Sequence, residues 1–164
     1  MKMIIEAIKF KQWADQRTLA AIEQVDSNAF PREYAFMLQQ INHMVIVQDL
    51  FQARLTDSPV PHKHTNSETV PAFETLNERL TASGQWYREY ANTLSDEAGQ
   101  RVIAFTFADG KAGKLSVEEI LFHIVSHSSY HRGSIANALD QAGVPHPVDG
   151  YGIYIHDQEP ARRQ

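Results

Sequence analysis

The sequence predicts an all-α fold, a four-helix bundle, and three observations predict it. Apolar residues recur at three- and four-residue spacing in four long stretches. Helix stop and start signals fall between them, as at Asp26-Ser27-Asn28 followed by Pro31, and at Gly143 followed by Pro145. A β-branched and aromatic segment, Arg101 to Phe107, is short and runs into the turn-forming Ala108-Asp109-Gly110-Lys111. It predicts only a small β-hairpin, between the third and fourth helices.

In the first helix, Phe10, Trp13, Ala14, Ala21 and Val25 share one stripe, so it is expected to run from near the start to about Val25. Pro31 suits the first turn of the second helix, expected over Pro31 to Leu55. That helix has two stripes, Met37, Ile41, Met44, Phe51 and Leu55 on one and Phe36, Val47 and Leu50 on the other, so much of its circumference should be covered. His43 lies on the second stripe. Thr56 to Val70, with Pro59, Pro61, His62 and His64, reads as a long exposed crossover loop. Pro71 opens the third helix, whose stripe of Phe73, Leu76, Leu80, Tyr87, Ala91 and Leu94 passes Gly84, a place for close helix approach. Ser116 and Glu119 form a capping box at the start of the fourth helix, which is expected to end at Gly143. The tail, Val144 to Gln164, carries Tyr151-Gly152-Ile153-Tyr154, expected to pack over one end of the bundle. With 164 residues, 43% of them hydrophobic, the chain is expected to be a single domain over residues 1–164.

Composition removes several function classes. There is no cysteine, which excludes disulfides, thiolate nucleophiles and Cys-type zinc or iron–sulfur sites. Any metal must sit on nitrogen and oxygen. The 15 basic residues are scattered against 20 acidic ones, so no nucleic-acid footprint is expected. No run approaches the roughly 18 apolar residues of a membrane span, and Met1-Lys2-Met3-Ile4-Ile5-Glu6 lacks the apolar stretch of a signal peptide. The expectation is a cytoplasmic protein with no membrane partner.

His123, His127 and His131 stand at successive i, i+4 steps, on one helical face. Imidazole is the commonest protein ligand for zinc, nickel and similar ions, and two of them one turn apart can share an ion. Three in a row cannot, because the outer two lie roughly 12 Å apart along the axis. A ligand from another segment is needed. His43, between apolar neighbours in the second helix, is favoured over His62 and His64 in the polar loop. His123 competes for the site, and its favoured role is pocket wall or hydrogen-bond support. His146 and His156 read as surface residues. Three histidines would leave an open coordination position for water or substrate. Buried histidines held only by hydrogen bonds, or a bis-histidine haem, are the alternatives. Neither the Glu-x-x-His pair of a di-iron bundle nor the His-Glu-x-x-His of zinc proteases is present. Arg132 reads as a solvated or helix-end residue, with carboxylate binding as its alternative. Asn42 and Asp49 could orient a ligand or simply face water or a dimer partner.

Lys11-Gln12-Trp13-Ala14-Asp15-Gln16-Arg17, Ile41-Asn42-His43 and, above all, Leu121-Phe122-His123-Ile124-Val125-Ser126-His127-Ser128-Ser129-Tyr130-His131-Arg132-Gly133 resemble the DinB family. The resemblance covers nearly the whole chain. It implies a four-helix bundle, often dimeric, with a divalent metal held near one end by three histidines, which fall on His43, His127 and His131. Tyr130 departs from the pattern, standing where many relatives have a further histidine. The resemblance also implies chemistry on low-molecular-weight thiols, either transfer or thiol-dependent isomerisation.

The leading expectation is a metal-dependent transferase or hydrolase using Zn²⁺ or Ni²⁺, a small-molecule substrate and, by resemblance, a low-molecular-weight thiol as co-substrate. Homodimerisation is expected from the resemblance and from surplus apolar surface on the first two helices. The rival is a non-catalytic dimeric bundle whose metal is structural or opportunistic.

Overall fold

A computed structural model describes residues 1–163. Among them are six α-helices and a two-stranded antiparallel sheet, in the order α1 (Lys2–Ile22), α2 (Pro31–Leu55), α3 (Phe73–Thr93), α4 (Asp96–Gln100), β1 (Val102–Thr106), β2 (Ala112–Ser116), α5 (Val117–Gln141) and α6 (Tyr151–Gln158). The fold is mostly helical. Each of α1 and α2 packs against both α3 and α5. Where α1 crosses α3, Gly84 faces the Gln12 side chain, and a Cβ added there would lie 3.4 Å from Gln12 Cγ, about van der Waals contact.

The bounds of α2 match the expectation. Pro31 supplies a fixed φ and lacks the N–H that a first turn would leave unpaired. At the start of α5, Ser116 Oγ accepts from the Glu119 N–H while Glu119 Oε2 accepts from the Ser116 N–H. Both bonds of the capping box are present. The hairpin pairs Val102 with Ser116 and Thr106 with Ala112, and Gly110, at φ 85°, turns the chain between them.

Several expectations need correction. The first helix stops at Ile22, not Val25, although Val25 remains buried on the turn that follows. The third begins at Phe73 rather than Pro71, and the fourth ends at Gln141, with Gly143 reversing the chain at φ 73° just beyond it. Phe36, expected on a covered stripe, is 40% exposed. The tail carries a helix of its own, Tyr151–Gln158, which lies against the middle of α1 rather than over one end of the bundle. Its Tyr154 is buried against Phe10 and Trp13, with ring centroids 6.0 and 5.6 Å away.

The core divides into two apolar halves. One gathers Ile8, Phe51, Tyr87, Ile120 and Ile124, the other Ile22, Met37, Ile41, Leu76 and Leu139. Between them each long helix contributes buried polar groups: Lys11 and Asp15 from α1, Gln48 from α2, Ser83 from α3, Ser128 and Arg132 from α5. Lys11 Nζ donates to Asp15 Oδ2 at 2.6 Å and to Gln48 Oε1 at 3.0 Å, and Ser83 Oγ donates to the same Gln48 oxygen at 2.7 Å. Arg132 closes the layer, reaching Asp15 Oδ1 at 2.6 Å and Asp149 Oδ2 at 2.7 Å. The expectation of a solvated or helix-end Arg132 therefore fails. Two carboxylates make its burial tolerable and raise the pKa of its guanidinium despite desolvation.

Candidate metal centre

The same middle layer holds the histidines. His43 stands midway along α2, and His127 and His131 midway along α5, not near one end of the helices as the resemblance implied. The packing of α2 on α5 brings them together. His127 Nε2 lies 3.1 Å from His43 Nε2 and 3.1 Å from His131 Nε2, and one ring nitrogen from each of the three residues fits within 4.8 Å of the others.

The outer nitrogens decide what the inner ones present. His43 Nδ1 is 2.8 Å from the Thr65 carbonyl, an acceptor only, so Nδ1 carries the proton and Nε2 a lone pair. His131 Nδ1 is 2.6 Å from Gln40 Oε1, with the same consequence. His127 Nε2 can donate to at most one of these two lone pairs. A cation would accept all three. Two nitrogens each about 2.0–2.1 Å from one tetrahedral ion lie roughly 3.3 Å apart, close to the observed spacing. The donor set therefore fits a divalent ion, with neutral imidazoles from two helices and no carboxylate among them.

Electrostatics keeps His127 and His131 neutral. Burial, reinforced by His131, His43, His123 and Lys11, lowers the pKa of His127 to about 3. Burial and His43 lower that of His131 to about 4. In an unfolded chain each would titrate near 6.5, so between that pH and the folded values the unfolded state binds more protons. Stability of the metal-free protein is therefore full above about pH 6.5 and declines as pH falls below it. From pH 7.5 to 5 the expected loss is about 2 kcal/mol after discounting for partial exposure, or roughly 4–8 °C in Tm. Thermal melts in chelator across that range check it. A flat profile would contradict a neutral His127 and His131.

His123 is not among the three converging residues. Its ring centroid lies 5.4 Å from that of His127 and 5.1 Å from that of Phe51, and it lines a cavity of about 210 Å³ together with His43 and His127. His62, expected to be solvated, is half-buried with Nε2 2.9 Å from Asp49 Oδ2, which also accepts from Arg79 at 2.7 Å. Asp49 thus faces these two groups rather than the three histidines. Asn42 is buried, and its Nδ2 donates to Ser67 Oγ at 2.8 Å, tying the crossover loop to α2. His64 and His146 are exposed, the latter beside Asp140, while His156 is half-buried.

Sequence reasoning missed Gln40 and Thr65, which orient the imidazoles. It also missed the buried role of Lys11 and Asp15. Gln40 could have been found at i−3 from His43. The i, i+4 Lys11–Asp15 pair shares a helix face with Ala14 and Thr18, which signals burial. Thr65 carries no local signal.

No solved structure is significantly similar to the chain. Protein DinB of Bacillus subtilis (strain 168) is 24% identical over 160 residues, with 90% of each chain covered. The DinB family model matches residues 1–163. No helix among the described residues is long and apolar enough to cross a membrane. A match of that extent, on a mostly helical chain that brings three half-buried histidines together, means that the chain belongs to the DinB family.

Proposed function

We propose that this protein is a divalent-metal-dependent enzyme in which His43, His127 and His131 are the ligands. The observation that carries the reading is the convergence of three Nε2 atoms with Thr65 and Gln40 fixing the outer nitrogens of two of them. A Zn²⁺ or Ni²⁺ ion held there would supply a Lewis acid with an open position, suited to activating water or to holding a low-molecular-weight thiol as thiolate. Apolar Val47, Phe51 and Phe107 around the neighbouring cavity limit water and offer a surface for a small-molecule substrate. His123, on the wall of that cavity, is a pocket residue. The chain itself has no cysteine, so a thiol must arrive as co-substrate. Thiol transfer ranks ahead of hydrolysis by family resemblance. We further propose a single four-helix-bundle domain over residues 1–164 that acts in the cytoplasm as a homodimer.

The test is a panel of thiols and electrophiles assayed with zinc- or nickel-loaded protein and with chelated protein. Turnover that requires both metal and thiol is expected. Metal-dependent turnover without thiol would favour hydrolysis, and no turnover with any combination would favour a non-catalytic bundle.

A further inference from the structure

The cavity beside the histidines continues along α2. Val47, Phe51 and Arg54 follow His43 at i+4, i+8 and i+11, and all four residues line it. Phe107, from the hairpin turn, lines the same space and an adjoining cavity of about 490 Å³, whose wall again includes Arg54. Arg54 stands where the two spaces meet, roughly 16 Å from His43 along the helix at 1.5 Å per residue.

Its surroundings are unusual for a half-buried cation. The guanidinium carbon lies 4.3 Å from the ring centroid of Phe105 and 4.8 Å from that of Phe51. One N–H group donates to the Thr106 carbonyl at 2.8 Å. Among the described residues no carboxylate pairs with it. Arg79 and His62, by contrast, are both held by Asp49. Asp57 lines the outer cavity without reaching Arg54 as an ion pair. Desolvation without a counter-ion is unfavourable, and it lowers the guanidinium pKa from its ordinary value.

Resting on the three-histidine reading above, we infer that Arg54 is the anion-binding residue of that site, and that the substrate carries a carboxylate at the end remote from its reacting group. The Phe51 and Phe105 rings, nearly perpendicular with centroids 5.6 Å apart, both lie to one side of the guanidinium, and the N–H groups that Thr106 does not engage are free for a carboxylate, which accepts two parallel bonds from a guanidinium. Val47, Phe51 and Phe107 lie between the histidines and Arg54 and offer apolar surface. The segment joining the two ends of the substrate is therefore hydrocarbon.

Cobalt(II)-loaded protein provides the test, because a thiol that binds the ion as thiolate gives a charge-transfer absorption that can be titrated. The probes are mercaptoacetate, mercaptohexanoate and mercaptoundecanoate, each beside the alcohol of the same length. At least one of the longer acids is expected to outbind its alcohol about tenfold or more, whereas mercaptoacetate shows no preference. Arg54→Met is expected to bring acid and alcohol within about twofold of each other, and Arg54→Lys to keep part of the preference. Since the ratio is taken within one protein, a general loss of stability leaves it unmoved. Equal binding of acid and alcohol at every length in the wild type, or an unchanged ratio in Arg54→Met, with the cobalt spectrum intact, would overturn the inference and leave the metal reading standing. Absence of any cobalt spectrum would overturn both.

Discussion

Replacing His127 by alanine is expected to abolish stoichiometric binding of Zn²⁺ or Ni²⁺. His127 is the middle member of the cluster, the one whose Nε2 lies 3.1 Å from both other ring nitrogens, so its loss leaves two lone pairs with no third donor between them. Affinity should fall by more than the roughly 10–100-fold that removing a supporting residue costs, and that smaller loss is expected for Gln40→Ala, which frees the His131 ring. Stability gives a second reading. Metal at a thousandfold excess over Kd adds about 4 kcal/mol to folding, equivalent to roughly 8–16 °C in Tm for a chain of this size. Wild type should show this rise on loading and lose it in chelator. His127→Ala should show neither change, while His123→Ala should behave like wild type. Metal retained by His127→Ala at wild-type affinity would sink the ligand assignment.

Asp15→Ala is expected to destabilise the fold by about 3–5 kcal/mol, the cost of stranding buried charge. Asp15 is the carboxylate shared by Lys11 and Arg132 at 2.6 Å each, and without it two buried cations face one another. Urea denaturation reads the loss as a shift of midpoint at unchanged slope. Asp149→Ala should cost less, because that carboxylate is partly exposed and binds Arg132 alone. The combined change Lys11→Met, Asp15→Leu and Arg132→Met should recover most of the loss, since an apolar layer of similar volume has no charge to desolvate. If Asp15→Ala left the midpoint unmoved, the ion network would not be the link between the helices described here.

The parts of this molecule that local chemistry determines were legible in the chain. Pro31 and the Ser116–Glu119 capping box mark helix starts because they satisfy or remove first-turn donors, and the structure places both helices there. His127 and His131 declared their common face by spacing alone. The involvement of His43 followed from a polar residue on an apolar stripe, and the structure brings it to the other two from 84 residues away. Thr65 and the hairpin turn over the cavity arrive through tertiary packing, which no periodicity encodes. Arg132 was misread for the same reason: an arginine at a helical position looks solvated until two aspartates, 117 and 17 residues distant, are found beside it.

The charged belt at mid-height has a consequence for how the helices find their alignment. An interior lined only with leucine and isoleucine tolerates sliding, because one greasy contact replaces another. Here a slip of a single turn, about 5.4 Å, would pull Asp15 out of reach of Arg132 and separate His43 from its two counterparts on α5. Misaligned packings are thereby penalised on both sides of the interior at once, and the helices reach the alignment that assembles the imidazole trio through the same contacts that neutralise the buried ions.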